Sequence, residues 1–238
     1  MMKTTLFTCA FMFFASVLVA QISEKEKQVL IDFYNTTNGP EWVDGWDLEQ
    51  PVNQWNGVTV ENNSVTSIRL LFNNVNGTLP SSLGELENLK VLELSFNPIS
   101  GAIPAELGNL KNLEILAING ASLTGEIPEE LGNLSNLKQL HLSSNQLSGS
   151  VPQNVTNLKK IEVFNIFENR LSGNLPAGLA KCRNLKELIV AENNFTNHEN
   201  FSVVLLSKSG SSMNFLDLSA QNDFGRSVIA LETEDSDD

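Results

Sequence analysis

Residues 113–136 read LEILAINGASLTGEIPEELGNLSN, and this stretch is one copy of a pattern that the chain repeats. The 24 residues before it read LKVLELSFNPISGAIPAELGNLKN, and the 24 after it read LKQLHLSSNQLSGSVPQNVTNLKK. Some slots carry the same residue in nearly every copy, whereas others vary freely. Aligned copies begin at Val65, Leu89, Leu113, Leu137, Ile161 and Leu185, and a less regular copy begins near Met213.

The shared pattern, L-x-x-L-x-L-x-x-N-x-L-x-G-x-[IL]-P-x-x-L-x-x-L-x-x, is the signature of a leucine-rich repeat. Leucines at alternate positions, such as Leu92 and Leu94, indicate a short strand with one face turned inward. One copy cannot bury its apolar side, whereas stacked copies share a continuous core. The pattern predicts an α/β solenoid of about seven 24-residue repeats. Its strands form a parallel β-sheet on the concave face, and a short return turn or helix follows each strand.

A column of asparagines follows the strands: Asn73, Asn97, Asn145, Asn169 and Asn193. We expect each side-chain amide to bond buried backbone groups of its own copy and of the next copy. In the third copy the slot holds Ala121. There we expect water or a backbone adjustment to serve the groups that lose a partner. Glycines such as Gly101 permit torsions closed to other residues, and prolines such as Pro104 fix the turn that follows.

The N-terminal stretch MMKTTLFTCAFMFFASVLVAQ predicts a secretory signal peptide over residues 1–20, cleaved after Ala20. A membrane anchor is the alternative, but the apolar run is short for a span of roughly 20 residues. We therefore expect a secreted or cell-surface protein with no membrane span after cleavage. Cleavage leaves Cys182 as the single cysteine, so no internal disulfide can form. Cys182 falls in an apolar column of the repeat, which favours a buried side chain over a reactive thiol.

Residues 21–64 are predicted to form an N-terminal cap. Ser23 and Glu26 fit a capping box, and an apolar helical stripe follows them. Three tryptophans come next, and they form either the cap core or a ligand platform; burial of large aromatics favours the core. They are Trp42, Trp46 and Trp55. The repeats then occupy 65–225, and 226–238 form a C-terminal end with a solvated acidic tail.

The stretches SGAIPAELGNLKNL and TGEIPEELGNLSNL resemble the plant-type leucine-rich repeat family, which includes receptor-like kinase ectodomains and polygalacturonase-inhibiting proteins. The cap of that family usually reads C-x-W-x-G-V-x-C. Here Asn53 and Val60 stand where the cysteines would be, while Trp55, Gly57 and Val58 remain. A cap without cysteines is similar to that of exported bacterial members. The resemblance implies binding of a partner through the concave face.

On the concave face, meaning the exposed face of the parallel sheet, residues 24 apart should form columns across the strands. One column alternates in charge and is interpreted as an inter-strand ion ladder rather than a charged-ligand site. It contains Thr66, Lys90, Glu114, Lys138, Glu162, Lys186 and Asn214.

The candidate ligand-binding residues lie in the other columns, which are apolar around an ion pair in the N-terminal half and acidic in the C-terminal half. They are Arg69, Leu71, Phe72, Glu93, Phe96, His141, Phe167, Glu168, Glu192 and Asp217. An alternative has the rings of Phe72 and Phe96 folded down on the strand edge, since scattered surface apolar residues are common.

Composition and spacing argue against several functions. A formal net charge of −13 disfavours nucleic acid and anionic membranes. His141 and Ser143 share a face, but no acid orients the imidazole. Glu168 and Glu192 lack the enclosed cleft of a glycosidase. His198 beside Glu199 is too little for a metal site, so we expect no catalytic residues, metal or cofactor.

The sequence therefore predicts a non-enzymatic protein that binds an extracellular protein, peptide or glycan. Two alternatives stay open: an inhibitor of a secreted polysaccharide-degrading enzyme, which the family resemblance suggests, and a structural or ice-adhering array. The array requires regular ranks of Thr or similar groups, and the return-turn column is irregular. It reads Thr78, Ala102, Glu126, Ser150 and Asn174. The oligomeric state, and whether the seven Asn-x-Ser/Thr sequons carry glycan, depend on features that the sequence does not specify.

Overall fold

A computed structural model describes residues 22–196, apart from the side chains of Ala180 and Lys181, and the backbone of three further strands. Outside the described residues lie the expected signal peptide at 1–20, His198, the candidate site residue Asp217 and the acidic tail. Strands are numbered below in chain order across all sheets.

The main sheet has seven strands, of which six run parallel and come from successive repeats. Paired residues are 24 positions apart, as with Leu92, Leu116 and Leu140, so the register follows the sequence repeat. The cap adds β1 antiparallel to β2 as an edge strand. The strands are β1 Val58–Glu61, β2 Ser64–Arg69, β4 Val91–Glu93, β6 Ile115–Ala117, β8 Gln139–His141, β10 Val163–Asn165 and β12 Glu187–Ile189.

A second parallel sheet of six strands lies where sequence predicted only a turn or helix. Equal repeat lengths bring the Leu-x-Gly segments of neighbouring copies side by side, so their backbone groups pair, as between Gly101 and Leu123. Gly101 has φ +79°, a torsion that favours glycine. The strands are β3 Gly77–Thr78, β5 Ile99–Gly101, β7 Ser122–Gly125, β9 Gln146–Ser150, β11 Arg170–Gly173 and β13 Asn194–Phe195.

Short 3-10 helices complete the first five repeats, as predicted for the return segment. Each begins after a proline, such as Pro104, whose fixed φ suits the residue before a helical turn. They span Ser81–Glu85, Ala105–Asn109, Glu129–Asn133, Gln153–Asn157 and Ala177–Lys181, and two more, Gly39–Glu41 and Val52–Gln54, lie in the cap.

The core is one continuous column of leucines between the two sheets and the 3-10 helices. Leu92, Leu116 and Leu140 have no exposed surface, and neither has Phe164. Cys182 is buried in the same column, as predicted, and burial raises the pKa of its thiol. This stacking stabilises each repeat only through its neighbours.

The cap begins with helix α1, Glu24–Thr36. Ser23 Oγ accepts from the Glu26 backbone N–H at 3.2 Å, which is one half of the predicted capping box. The other half is wrong: Glu26 is buried, and its carboxylate accepts from the Val65 N–H at 3.3 Å. Glu26 thus serves the first residue of the repeats instead of the helix start.

The three tryptophans of the cap are buried and contact one another. The Trp46 ring stacks on Trp55 at 4.8 Å between centroids and meets Trp42 edge-on at 4.9 Å. Each indole N–H donates to a backbone carbonyl, at Thr37, Asn56 and Gln50 for Trp42, Trp46 and Trp55. Only 3–6% of each side chain is exposed, so the rings form core and offer no ligand platform.

The asparagine column ties each repeat to the preceding one, not to the next as expected. Asn97 Nδ2 donates to Leu70 O at 2.5 Å and to Leu94 O at 2.9 Å. Its Oδ1 accepts from the N–H groups of Asn73 and Val75. These N–H groups point toward the following repeat, so their acceptor must come from there. The same pattern recurs at Asn145, Asn169 and Asn193.

The second copy, which faces Ala121 in the third, shows the expected backbone adjustment. In the other copies the N–H two residues after the column bonds the asparagine of the next repeat, as Leu123 N does to Asn145 Oδ1 at 3.0 Å. Ile99 has no such acceptor, because Ala121 lacks the amide. Ile99 N instead donates to Asn97 O, within its own copy, at 2.8 Å.

Beyond residue 196 the described backbone forms a three-stranded antiparallel sheet of β14 Val203–Leu205, β15 Asn214–Phe215 and β16 Val228–Ala230. The seventh copy, expected near Met213, contributes β15, which pairs antiparallel with β14. The described pairings of this strand therefore differ from those of the six regular repeats. β16, from the C-terminal end, also pairs antiparallel with β14.

Candidate ligand-binding face

The columns predicted from the repeat are present on the main sheet, but some members that were expected to be exposed, such as Thr66 and Ala117, are buried. The central column pairs Arg69, Glu93, Ala117, His141, Asn165 and Ile189 across successive strands. Because each strand is paired with its neighbours, the side chains of this face lie in regular rows. The strand spacing and the repeat length set the positions of these rows.

The alternating charged column is organised into separate ion pairs. Lys138 bonds Glu114 at 2.7 Å, and Lys186 bonds Glu162 at 2.5 Å. Lys90 pairs with Glu61 of β1 at 2.9 Å, which joins the cap to the second repeat. Hydrogen bonds from their glutamates raise the pKa of Lys90 and of Lys138. These pairs fix stacking order in the manner expected for exposed cross-strand charges.

Arg69 and Glu93 neutralise each other. The Arg69 guanidinium forms a salt bridge with the Glu93 carboxylate on the neighbouring strand. The N-terminal half of the face therefore presents a paired charge beside apolar groups. Leu71, on the same strand end, is 42% exposed.

Phe72 and Phe96 project from the edge of the face and stack on each other. Their ring centroids are 4.6 Å apart and the ring planes differ by 7°. The residues are 67% and 48% exposed. The alternative in which both rings fold down onto the strand edge is wrong. Among the described residues the other large exposed apolar side chains are Leu71 and Val43, and Val43 N bonds the carbonyl of Asn73, next to Phe72.

Both phenylalanines belong to a column with left-handed backbone torsions, which we name the edge column. Its members, all with φ between +51° and +61°, are Phe72, Phe96, Gly120, Ser144, Glu168 and Glu192. The backbone N–H of each of the first five members donates to a carbonyl of the next repeat, as Phe96 N does to Asn119 O at 2.7 Å. The backbone of this column is therefore fixed by the ladder. Its side chains are free to differ, although a bulky residue at positive φ is rare.

The C-terminal half of the edge column is acidic. Glu168 and Glu192 are exposed, and among the described residues neither forms a salt bridge. Ser144 Oγ donates to Glu168 Oε2 at 2.6 Å, which draws this carboxylate toward the preceding repeat. The face thus changes from aromatic to anionic along one column.

The remaining candidates, His141 and Phe167, lie half-buried in the middle of the face. His141 Nε2 lies 3.3 Å from Gln139 Oε1, and burial lowers the pKa of the imidazole against the opposing charges of Glu187 and Glu93. Ser143 Oγ donates to Asn119 Oδ1 at 2.8 Å rather than to His141. The described contacts therefore do not join His141 and Ser143 into a nucleophile–base pair.

The sequence places Gly120 and Ser144 in the edge column, but the candidate ligand-binding residues did not include them. Their signal was available, because they occupy the same repeat slot as Phe72, Phe96, Glu168 and Glu192. Sequence reasoning also missed a second asparagine column at the opposite end of the strands. Asn112, Asn136 and Asn184 each donate to a carbonyl of the preceding repeat at 2.7–3.0 Å, and Asn88 donates to Ser64 Oγ.

Two further findings concern the described part of the chain. In it, no three side chains of His, Cys, Asp or Glu lie close enough together to hold a metal ion. In the same residues, no helix has both the length and the apolar character needed to cross a membrane.

A family model described as a leucine-rich repeat region matches residues 68–226. The chain belongs to the leucine-rich repeat family. A search of curated proteins found no match. Among solved structures, the SOBIR1 receptor kinase ectodomain from Arabidopsis thaliana is 26% identical with a TM-score of 0.64, and the match covers 74% of this chain and 97% of that one.

Two larger Arabidopsis ectodomains are also similar. GASSHO1/SCHENGEN3, in complex with CASPARIAN STRIP INTEGRITY FACTOR 2, is 27% identical with a TM-score of 0.66, covering 71% of this chain and 21% of that one. The receptor kinase HAESA, in complex with an extended IDA peptide hormone, is 31% identical with a TM-score of 0.62, covering 72% and 29%. This chain spans about a quarter or less of the first receptor ectodomains that it matches.

Proposed function

We propose that this protein is a secreted, non-enzymatic leucine-rich repeat protein that binds an extracellular peptide or protein through its concave face. The observation that carries the proposal is the exposed, stacked pair of Phe72 and Phe96. Large aromatic side chains dominate the energetics of protein interfaces, and two that remain exposed side by side indicate a contact surface.

The backbone position of the pair strengthens this argument. A left-handed torsion disfavours a bulky side chain, and glycine, serine or glutamate fills the same slot elsewhere. Residues held in unfavourable torsions concentrate at ligand-binding sites. The fold itself gives no reason for phenylalanine here, because the Asn97 column and the leucine core are complete without it.

The rigidity of the face favours binding. The candidate side chains project from strands or from the segments directly after them, where backbone N–H groups such as that of Phe96 bond to the next repeat, so a partner meets them without first ordering a loop. Similar ectodomains have been solved in complex with a peptide hormone and with RGF2, which supports a peptide as the class of partner. Ectodomains lie outside the cell, which supports secretion.

The remaining partner classes receive less support. An inhibitor of a polysaccharide-degrading enzyme would also use the concave face, and its acidic half suits a basic enzyme surface. A glycan partner is less favoured, because the stacked rings of Phe72 and Phe96 with exposed Leu71 beside them form an apolar surface at this end of the face. The irregular column from Thr78 to Asn174 gives the ice-adhering array no regular rank of hydroxyls.

Photo-crosslinking tests the location of binding. Peptides selected from a random display library on immobilised residues 21–238 would be resynthesised with a benzophenone side chain and irradiated in complex. We expect crosslinks at residues 71–72 and 95–96. Crosslinks confined to the 3-10 helices Ala105–Asn109 and Glu129–Asn133 would overturn the proposal.

A further inference from the structure

The stacked rings of Phe72 and Phe96 have a defined direction. Their centroid spacing of 4.6 Å is close to the separation of about 4.8 Å between neighbouring strands. Nearly parallel rings at this spacing must stack along the axis on which repeats are added. One face of the Phe96 ring is covered by Phe72, and the other is turned toward the next repeat, at Gly120.

Gly120 leaves that second face of the ring uncovered. A Cβ atom at Gly120 would lie only 2.8 Å from Phe96 Cδ1, so the ring already reaches the space above this residue. Glycine adds no side chain between the Phe96 ring and Ser144. The aromatic face therefore opens onto a gap above Gly120, and Ser144 lies on the far side of that gap, about 5 Å from Gly120.

A carboxylate borders the far side of this gap. Glu168 is two repeats beyond Gly120, but the hydrogen bond from Ser144 Oγ at 2.6 Å draws its carboxylate back by one repeat. In the described part of the chain this carboxylate has no salt bridge, and Arg170, two residues later, does not pair with it. A carboxylate accepts about four hydrogen bonds, so most of its capacity is free for a ligand.

A planar cation can bind the Phe96 ring face and the Glu168 carboxylate at the same time. A guanidinium group stacks on an aromatic face through cation–π attraction and donates paired N–H groups to a carboxylate. A lysine side chain is charged but not planar, whereas a neutral aromatic side chain is planar but not charged. We propose that Phe96, Gly120, Ser144 and Glu168 form an arginine slot, which holds one arginine side chain of the partner.

This inference rests on the proposed function, because it specifies one residue of the peptide that the concave face binds. It also specifies how the partner lies along the face. An apolar segment of the partner contacts Leu71 and Phe72, and its arginine lies nearer the C-terminal repeats. The acidic charge of Glu192 beyond the slot adds attraction for a cationic segment.

Amide NMR with small probes tests the slot directly. The probes are the capped pentapeptide Gly-Gly-Arg-Gly-Gly and its versions with lysine or citrulline in place of arginine; citrulline keeps the plane and loses the charge. We expect the arginine probe to shift the amides of residues 96, 120, 144 and 168, and to bind about three- to fivefold more tightly than the lysine or citrulline probe. The variants Phe96→Ser and Glu168→Gln should each abolish this preference.

Glu106→Gln is the control, since it removes one exposed carboxylate from the return side of the repeats, on the 3-10 helix Ala105–Asn109. It should leave the preference for arginine unchanged. Equal binding of the arginine and lysine probes, or equal losses in Glu168→Gln and Glu106→Gln, would overturn the slot and indicate unspecific charge attraction. Such a result would overturn the slot but not the proposed function, which predicts crosslinks at residues 95–96 in either case. Crosslinks on the 3-10 helices would overturn the proposed function, whatever the probes show.

Discussion

Phe96 and Asn97 are neighbours in the chain, yet their columns behave in opposite ways. Asn97 binds five backbone groups of two repeats through its side chain, so its column is almost invariant. Phe96 binds the next repeat only through its backbone N–H, so any side chain can stand in its column. The comparison teaches that the repeat keeps the same residue where a side chain bonds buried backbone groups. It allows different residues where the backbone groups already bond to each other.

The largest loss of stability should come from a substitution in the core of the cap, where the side chains are fully packed. Trp55→Ala removes a buried ring that stacks on Trp46 and bonds Gln50, and should destabilise the fold by about 3–5 kcal/mol. Denaturant unfolding measures this loss. An unchanged unfolding midpoint together with weakened peptide binding would show that Trp55 is a binding residue instead.

The next effect compares two adjacent positions directly. Asn145→Ala removes the acceptor of Leu123 N and the donor to Ile118 O, and should cost about 2–3 kcal/mol because buried backbone groups lose their partners. Ser144→Ala, its neighbour in the edge column, should change stability by less than about 0.5 kcal/mol. If the unfolding midpoints of the two variants fell by similar amounts, the result would contradict the claim that the asparagine column holds the fold while side chains of the edge column do not.

A gain-of-contact variant sharpens the comparison within the asparagine column. Ala121→Asn should stabilise the fold by about 0.5–1.5 kcal/mol, or be tolerated, since the new amide can accept from Ile99 N as Asn145 does from Leu123 N. The gain is limited because Ile99 N already donates to Asn97 O. A clear fall in the melting temperature would show that the third copy has a backbone path fitted to alanine.

The smallest effect concerns His141, a half-buried residue of the face. Burial holds its pKa below that of an unfolded histidine, so the unfolded chain binds the proton more readily. Its contribution to stability is therefore complete above the ordinary value of about 6.5 and declines as the pH falls through that value. NMR titration should place the His141 midpoint below that of a histidine in an unstructured peptide. His141→Gln should weaken the loss of stability over this range.

Much of the fold followed from the sequence because its determinants are periodic. The 24-residue register, the leucine core and the buried asparagines repeat often enough that single exceptions such as Ala121 stand out. The second sheet was missed because strands of two to five residues around glycine carry no alternation of their own. They form only because neighbouring copies hold them side by side.

The site was less predictable because it depends on torsions and pairings that occur once. Nothing in the sequence assigned positive φ to Phe72 or directed the Ser144 hydroxyl to Glu168. The ion pair of Lys90 with Glu61 was missed for a similar reason, since Glu61 belongs to a cap strand outside the repeat. The columns could be listed from the sequence, but which members pair with each other could not.

The central claim is that the varied slots of the concave face bind the partner while the copied slots hold the fold. Affinity of a display-selected peptide, measured beside the melting temperature, tests it in the double variant Phe72→Ser/Phe96→Ser and in the return-side control Glu106→Lys/Glu130→Lys. We expect the first to lose at least about tenfold in affinity with a nearly unchanged melting temperature, because both rings are exposed and lie outside the buried core. The control should bind like the unmodified protein. Loss of binding in the control alone would contradict the claim and place the interface on the return side.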